Sequence, residues 1–237
     1  GIRLQYCKGR GINSRNVTVS QCGYTGLGGM SCEDVWVYGF SAFDIGPGSP
    51  GGDAYGCFFD REEVGSETVE PRSYRCGLHG YEISNVSATG GNGQGVDTHG
   101  SVDIHFLDGV ITNCQVGGAL TSSAISGVPA LGPVRCKIQA KINGPHNGYG
   151  VFVVGAVNGG SVVQYAEDCE IDVTLEGHGL DSALVVDGSI SATRFMATRG
   201  LKVRGNFIRN ESAAIYLDSS NIGYDIRVAI VDPHSDN

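Results

Sequence analysis

Short runs of apolar residues or Thr, each led by a small residue, recur along this chain. They read Gly95-Val96-Asp97-Thr98-His99, Gly118-Ala119-Leu120-Thr121, Gly150-Val151-Phe152-Val153-Val154, Ser182-Ala183-Leu184-Val185-Val186 and Ala213-Ala214-Ile215-Tyr216-Leu217. Counted from the second residue of each run, the steps are 23, 32, 32 and 31. A repeat of roughly 20–50 residues marks stacked supersecondary units. A second set of runs alternates apolar with polar, the signature of a strand with one buried face. It comprises Val17-Thr18-Val19, Val35-Trp36-Val37, Val102–Phe106, Cys136-Lys137-Ile138, Cys169–Val173, Leu201-Lys202-Val203 and Ile226-Arg227-Val228. A third set follows closely: Val110-Ile111, Lys141-Ile142, Thr174-Leu175 and Phe207-Ile208. The pattern predicts an all-β, single-domain parallel β-helix, a solenoid with about three short strands per coil.

Corners are expected at Gly, Asn and Asp. Asn85, Asn113, Asn143 and Asn206 fall there, where Asn tolerates left-handed backbone and can bond the Asn of the next coil. Glycine supplies 38 of 237 residues, about twice the usual ~7%, as frequent sharp corners require. Amphipathic helix periodicity is absent, and so is any apolar run long enough to span a membrane. The net charge of −9, with no Lys/Arg cluster, argues against a nucleic-acid groove and fits a carbohydrate ligand. The eight cysteines contain no CxxC pair, so neither a zinc site nor any other metal or cofactor is expected. Cys136 and Cys169 share a repeat position, with Cys32 at a similar one, and reduced thiols stacked as small apolar groups are the expectation.

One elongated domain is expected over residues 1–237, interrupted by an irregular insertion at 46–75. Neither end carries a polar cap of the kind solenoids need, so the chain is expected to be a fragment or to have partners on its ends. In the first set of runs both faces are apolar. The outward one, carrying Phe152, Leu184, Ile215 and Leu217, is expected to pack on another subunit or a missing part of the chain.

The first set has one polar member. Asp97 aligns with Leu120, Phe152, Leu184 and Ile215, and His99 with Ser122, Val154, Val186 and Leu217. Alternation puts Asp97 and His99 on one face, about 7 Å apart. They read either as an acid–base pair at a groove or as a structural pair between coils. His79, ~20 residues upstream, is about one short coil away. His146 and His178 fall in turns, and His105 on a strand surface. Asp53, Asp60, Arg61, Glu62 and Glu63 gather in the insertion. Paired carboxylates suit glycoside hydrolysis, and a cation beside carboxylates suits a lyase acting on uronates; a solvated charged loop is the plain alternative. Trp36, Tyr38, Tyr55, Tyr74 and Tyr81 offer sugar-stacking surface or ordinary packing.

The string from Gly93 to Gly100, with Val102–Phe106 and Val110–Cys114 after it, resembles the right-handed parallel β-helix proteins of the pectate-lyase-like superfamily, most of all bacteriophage tailspikes and tail appendages. The resemblance covers most of the chain as repeat architecture; its one sharp motif is Val96-Asp97-Thr98-His99-Gly100. It implies a homotrimer in the virion tail, assembled in the host cytoplasm and acting outside the cell. It also implies bacterial surface polysaccharide as the ligand, often cleaved in a groove. The calcium-binding Asp cluster and catalytic Arg of the pectate lyases have no counterparts here. The resulting expectation is a polysaccharide depolymerase, with Asp97, His99, Asp60 and Glu62 catalytic and His79, Arg61, Tyr55, Tyr81 and Trp36 binding glycan. Two alternatives stand beside it: a non-catalytic glycan-binding virion or adhesin β-helix, and a monomeric uronate lyase or epimerase.

Overall fold

The computed structural model describes residues 1–46, 52–61, 72–89, 91–122, 130–144, 149–158, 161–177, 193–209 and 215–231, the side chains of 9–13 and 158 apart. Two parallel sheets of eight strands each face one another across the core. The first sheet is built from Ile2–Gln5, Thr25–Met30, Ala54–Asp60, Gly93–His99, Val116–Thr121, Val151–Val154, Thr193–Met196 and Tyr216–Leu217. The second takes Lys8–Ser20, Glu33–Ile45, Gly77–Val86, His105–Cys114, Lys137–Asn143, Glu170–Glu176, Lys202–Ile208 and Asp225–Val231. Strands of the two sheets alternate along the chain, so each pair is one coil of a parallel β-helix, wound in the right-handed sense that parallel crossovers take. Single-residue bridges Glu33–Tyr74–Val102–Val134–Glu167 form a narrow strip along the turn into the second sheet. A small antiparallel hairpin, Ala156–Asn158 with Ser161–Gln164, projects beside it.

The core follows from register. On the first sheet, Leu4, Gly29, Phe59, Thr98, Leu120, Val153, Phe195 and Leu217 stack in one row. On the second, Val37, Leu78, Phe106, Ile138, Ile171, Val203 and Ile226 form another. Each buried aliphatic or aromatic side chain in such a row is worth about 1.5–3 kcal/mol of transfer free energy. The third set of runs does not start new strands. It continues those of the second sheet past a bend, which in the early coils sits at a left-handed residue: Asn16, Gly39, Gly80 and Asp108, φ 54–65°. From Lys137 onward one residue is dropped at this point, and the register shifts there.

Two polar ladders hold the corners. Asn113 Nδ2 donates to Asn85 Oδ1 at 2.7 Å, and Asn85 Nδ2 to Asp44 Oδ1 at 2.9 Å; all three residues are left-handed, φ 55–56°. Asn143 and Asn206, expected at corners too, do not share this left-handed backbone. At the other corner Arg75 grips Asp34 through two bonds of 2.6 and 2.7 Å, and Arg135 grips Asp103 at 2.7 and 2.8 Å. None of the eight cysteines is in a disulfide. Cys136 and Cys169 are neighbours in one inner row, whereas Cys32 lies outside it. Val35 and Cys76 precede them in that row, as the register of the following residues requires.

Register also corrects the alignment of the first set. Asp97 pairs with Ala119, and Leu120 pairs with Thr98 inside the coil. The spacing through Asp97, Ala119, Phe152, Arg194 and Tyr216 is 22, 33, 42 and 22 residues. The strand beside Val151–Val154 is Thr193–Met196; the run at 182–186, with Leu184, lies outside the described residues. Ile215 and Leu217 pack toward the core, and Tyr216 takes the outward place. Among the described residues of the proposed outward apolar face, Phe152 stays outward, half-buried.

Tyr81, expected to bind glycan, belongs to the core. It is 3% exposed, and its ring lies across Gly109, where an added Cβ would meet the ring at 2.0 Å. Its hydroxyl has no hydrogen-bond partner among the described residues, so the ring serves packing. Tyr81→Phe should therefore leave the fold intact and raise stability by about 1 kcal/mol, since it removes an unsatisfied buried group. A thermal melt checks this: a fall in Tm would show that the hydroxyl is bonded.

Candidate functional site

Alternation along Gly93–His99 turns Val96 and Thr98 inward and Asp97 and His99 outward. Thr98 Oγ1 donates to the Phe59 carbonyl of the neighbouring coil at 2.7 Å, which fixes the rung. The preceding coil brings Asp60 alongside, at the end of Ala54–Asp60. The result is an imidazole bracketed by two carboxylates. His99 Nδ1 lies 3.1 Å from Asp60 Oδ2, and Nε2 lies 2.6 Å from Asp97 Oδ2. The second contact is an ion pair rather than an aligned hydrogen bond; neither Asp97 oxygen has a hydrogen-bond partner among the described residues. Asp97 is fully buried, while His99 and Asp60 keep 25% and 18% of their side chains exposed.

The electrostatics follow from this geometry. Burial pushes the Asp97 carboxyl up, and the His99 charge only partly offsets it. Burial alone would lower the His99 imidazolium, but Asp97 and Asp60 together outweigh it and raise its pKa well above the usual value. His99 is thus a cation at neutral pH, with a carboxylate at each ring nitrogen. The ring occupies the space between the two acids, so the pair has no room to flank a glycosidic bond.

Around this cluster lie aromatics. The Tyr55 ring stands edge-on to His99 at 5.9 Å and touches Phe58 at 5.0 Å and Tyr24 at 5.5 Å. The Tyr55 hydroxyl donates to Asp53 Oδ2 at 3.2 Å, and Asp53 Oδ1 accepts the Asn92 backbone N–H at 2.7 Å. Tyr55 is itself 4% exposed and acts as backing, whereas Tyr24 is 51% exposed. Burial and the nearby acids Asp97 and Asp53 raise the Tyr55 phenol, so it stays a donor. Arg61 is buried, and its backbone N–H donates to Asp60 Oδ1 at 2.6 Å, which orients that carboxylate. Glu62 lies outside the described residues, as do Glu63, His146 and His178.

Beside the cluster is a cavity of about 230 Å³ lined by Gly1, Ile2, Arg3, Tyr24, Thr25, Gly28, Met30 and Phe58. Arg3, Tyr24 and Phe58 carry no sequence motif. The available signal was the Gly28-Gly29 pair, whose missing side chains leave room for Phe58 and Phe59 of the next coil.

Trp36 and His79, expected at the same site, lie on the outer face of the second sheet. Trp36 packs edge-on to His105 at 6.2 Å, and His79 against Tyr38 at 5.8 Å with Asp108 at 3.1 Å from its Nε2. The structure therefore joins Asp97, His99, Asp60, Tyr55 and Arg61, and separates Trp36, His79 and Tyr81 from them. Among the described residues no three His, Cys, Asp or Glu side chains are grouped to hold a metal ion.

No known sequence family matches this chain, and no curated protein sequence matches it. Its fold is similar to that of PfbA, a surface adhesin of Streptococcus pneumoniae: one structure aligns with a TM-score of 0.56 at 8% identity, over 97% of this chain and 60% of that one. Another PfbA structure aligns at 0.48 and 7% identity, over 97% and 68%. A double mutant of the tailspike protein of E. coli bacteriophage HK620, in complex with a pentasaccharide, aligns at 0.36 and 11% identity, over 92% and 43%. The first of these supports the β-helix, and at such identity the likeness concerns fold alone.

The cluster has a pH signature. His99 binds its proton more tightly folded than unfolded, so its stabilisation is complete below its unfolded value of about 6.5 and is lost as pH rises through the raised folded value. Asp97, also raised, contributes a loss of the same sign, starting from the lower pH at which free carboxylates titrate. Tm should fall from pH 7 to 9 in the wild type, and His99→Gln should flatten that fall. Parallel curves for the two proteins would show that His99 does not carry the charge assigned to it.

Proposed function

We propose that this chain is a carbohydrate-binding β-helix whose ligand, a bacterial surface polysaccharide, lies along the outer wall of the first sheet. The observation that carries this reading is one continuous patch. It joins an exposed aromatic, Tyr24, in the bend before Thr25, to a cavity and to two partly exposed polar groups, Asp60 and His99, each at the end of a strand. Flat aromatic surface beside a few fixed hydrogen-bonding groups is what a sugar needs: Tyr24 stacks on a ring face, and Asp60, held by His99 Nδ1 and the Arg61 N–H, accepts from hydroxyls with its remaining lone pairs. Asp97 works behind them, holding His99 charged and oriented. On this reading the protein acts outside the cell.

A second reading, cleavage of that polysaccharide, is favoured by the buried Asp97 behind a partly exposed imidazolium. Both ring N–H groups face carboxylates, so donating a proton to a leaving glycosidic oxygen would require the Asp60 contact at Nδ1 to open as substrate binds. Its base or nucleophile would have to come from elsewhere than Asp60 and Asp97, which His99 holds apart. Assembly as a homotrimer in a phage tail belongs to this proposal, drawn from the family resemblance and from outward-facing Phe152. A stable, active monomer in light scattering would favour a free lyase or epimerase instead.

The test is a panel of capsular and O-antigen polysaccharides. Tyr24→Ala should weaken binding about tenfold, equivalent to ~1.4 kcal/mol, without changing Tm. Trp36 is the chain's one tryptophan and sits on the other sheet, so its fluorescence should stay constant as glycan binds. A saturable shift in emission would move the ligand to the second sheet. If reducing ends or 235 nm absorbance appear, Asp97→Asn should abolish them while binding persists; unchanged turnover would remove Asp97 from any chemistry.

A further inference from the structure

We infer that Cys7 and Cys32 are an oxidisable dithiol site: a small disulfide of the glutathione type converts them into a disulfide that ties the first coil to the second. The pairing is set by register. Gln5 pairs with Met30 and Lys8 with Glu33, so Cys7 stands directly over Cys32. Backbone bonds close the rung on both sides: the Tyr6 N–H donates to the Met30 carbonyl at 3.0 Å, and the Glu33 N–H to the Cys7 carbonyl at 2.8 Å. Each cysteine follows a left-handed residue, Tyr6 at φ 52° and Ser31 at φ 50°, so both leave the same corner in the same direction. Rungs about 4.8 Å apart put the two Cα atoms inside the roughly 4.4–6.8 Å that a disulfide spans. The two thiols are in hydrogen-bond contact.

Cys7 is half-buried, whereas Cys32 is buried. Burial also pushes the Cys32 thiol up to about 11, which makes it a poor first nucleophile. Cys7 therefore reacts first. Its thiolate attacks one sulfur of glutathione disulfide, and one glutathione thiolate leaves. Cys32 then gives up its proton and attacks the Cys7 sulfur, forming the Cys7–Cys32 bond and expelling the second glutathione. Two protein thiols are oxidised, and one small disulfide is reduced to two thiols. Other cysteines lack one or other of these conditions. Cys136 and Cys169 share a rung too, but both are buried. Cys22 is half-buried like Cys7, but Ser20 pairs with Phe43, which puts Ile45 rather than a thiol on the next rung. Cys76 donates from its sulfur to the Cys32 carbonyl at 3.4 Å, but it is buried and stands over Val35. The loop that the new bond closes carries Tyr24, Thr25, Gly28 and Met30 of the cavity, so the tie stiffens the wall beside Tyr24.

The experiment incubates the folded, fully reduced protein with oxidised glutathione and maps non-reduced peptides by mass spectrometry. Wild type should yield a Cys7–Cys32 cross-link, with Cys136 and Cys169 still thiols and Cys22 carrying nothing beyond a glutathione. Cys32→Ser should stop at the first step and keep a glutathione on Cys7. Cys7→Ser should leave Cys32 a thiol. Oxidised wild type should melt roughly 5–10 °C above the reduced protein, as expected for a cross-link closing a loop of this length. A reductant should reverse that gain, and Cys32→Ser should show none. A wild type whose Cys7 stays a thiol, or holds glutathione without passing the bond to Cys32, would overturn the inference. So would a Cys32–Cys76 link, or a Cys7→Ser protein that cross-links Cys32 all the same. None of these readouts involves a glycan, so failure here leaves the binding wall as it stands.

Discussion

Stacking in parallel register is the constraint on which everything else here depends. Each residue of a coil sits about 4.8 Å from its counterpart above and below, so every side chain must be compatible with two neighbours at the same rung. The glycines show how tightly this acts. Gly56, Gly95 and Gly117 of the first sheet face Ile83, Ile111 and Ile142 of the second in three successive coils; a Cβ at each would meet the isoleucine at 2.3–2.6 Å. There a branched side chain from one sheet fills the space that the other leaves bare. The same rule works within a sheet, where Phe58-Phe59 lies over Gly28-Gly29 and Tyr81 over Gly109. Packing density is achieved by pairing large with absent side chains across rungs.

The corners obey the same constraint by polar means. A parallel coil must turn sharply between sheets, and the residues at those turns adopt left-handed backbone at the same place coil after coil. Asp34, Arg75, Asp103, Arg135 and Asp168 do so at φ 51–58°. Alternating acid and base along this line makes each bidentate pair a tie between coils, and Asn85 and Asn113 do the same at the opposite corner with neutral amides. Exposed pairs of this kind add little free energy, but they penalise a register slip, because a shifted residue would meet the wrong partner.

The β-helix was legible in the sequence because period-two alternation and a coil-length repeat both survive single-residue errors. The second-sheet rows at Cys136, Cys169 and Leu201 are spaced 33 and 32 residues apart and align by eye. The first sheet was harder. Its coils vary in length, and its strands are short and apolar on both faces. An offset of one residue between Asp97 and Leu120 then cost nothing in hydrophobic pattern, yet it reversed which side of the coil Ile215 and Leu217 occupy. The Asp97–His99 pair was visible as two polar residues in an apolar repeat. Asp60 was visible only as a loop acid, because nothing in its local sequence says that its strand ends beside His99. Tyr24, Phe58 and Arg3 lie on three different coils, and only stacking makes them neighbours. Trp36 and His79 were grouped with the site for their chemistry, but they sit on strands of the second sheet.

The polar rung at Asp97 bears on function through its energetics. Phe58 and Ala119, above and below it, fill the same outward position with apolar atoms. A carboxylate there, fully buried, carries a desolvation penalty of several kcal/mol that its attraction to His99 offsets only in part, which is why its proton affinity stays raised. An alanine or phenylalanine at this rung would avoid the penalty, as its neighbours do. Two acids around one imidazolium also leave the unit with a net negative charge on a surface that is otherwise aromatic and apolar. Stability therefore gives no reason for Asp97 and His99 to be polar. The proposed binding role gives one: His99, held charged by Asp97, would fix Asp60 beside Tyr24, so that a sugar's hydroxyls would meet an acceptor whose orientation folding has already set.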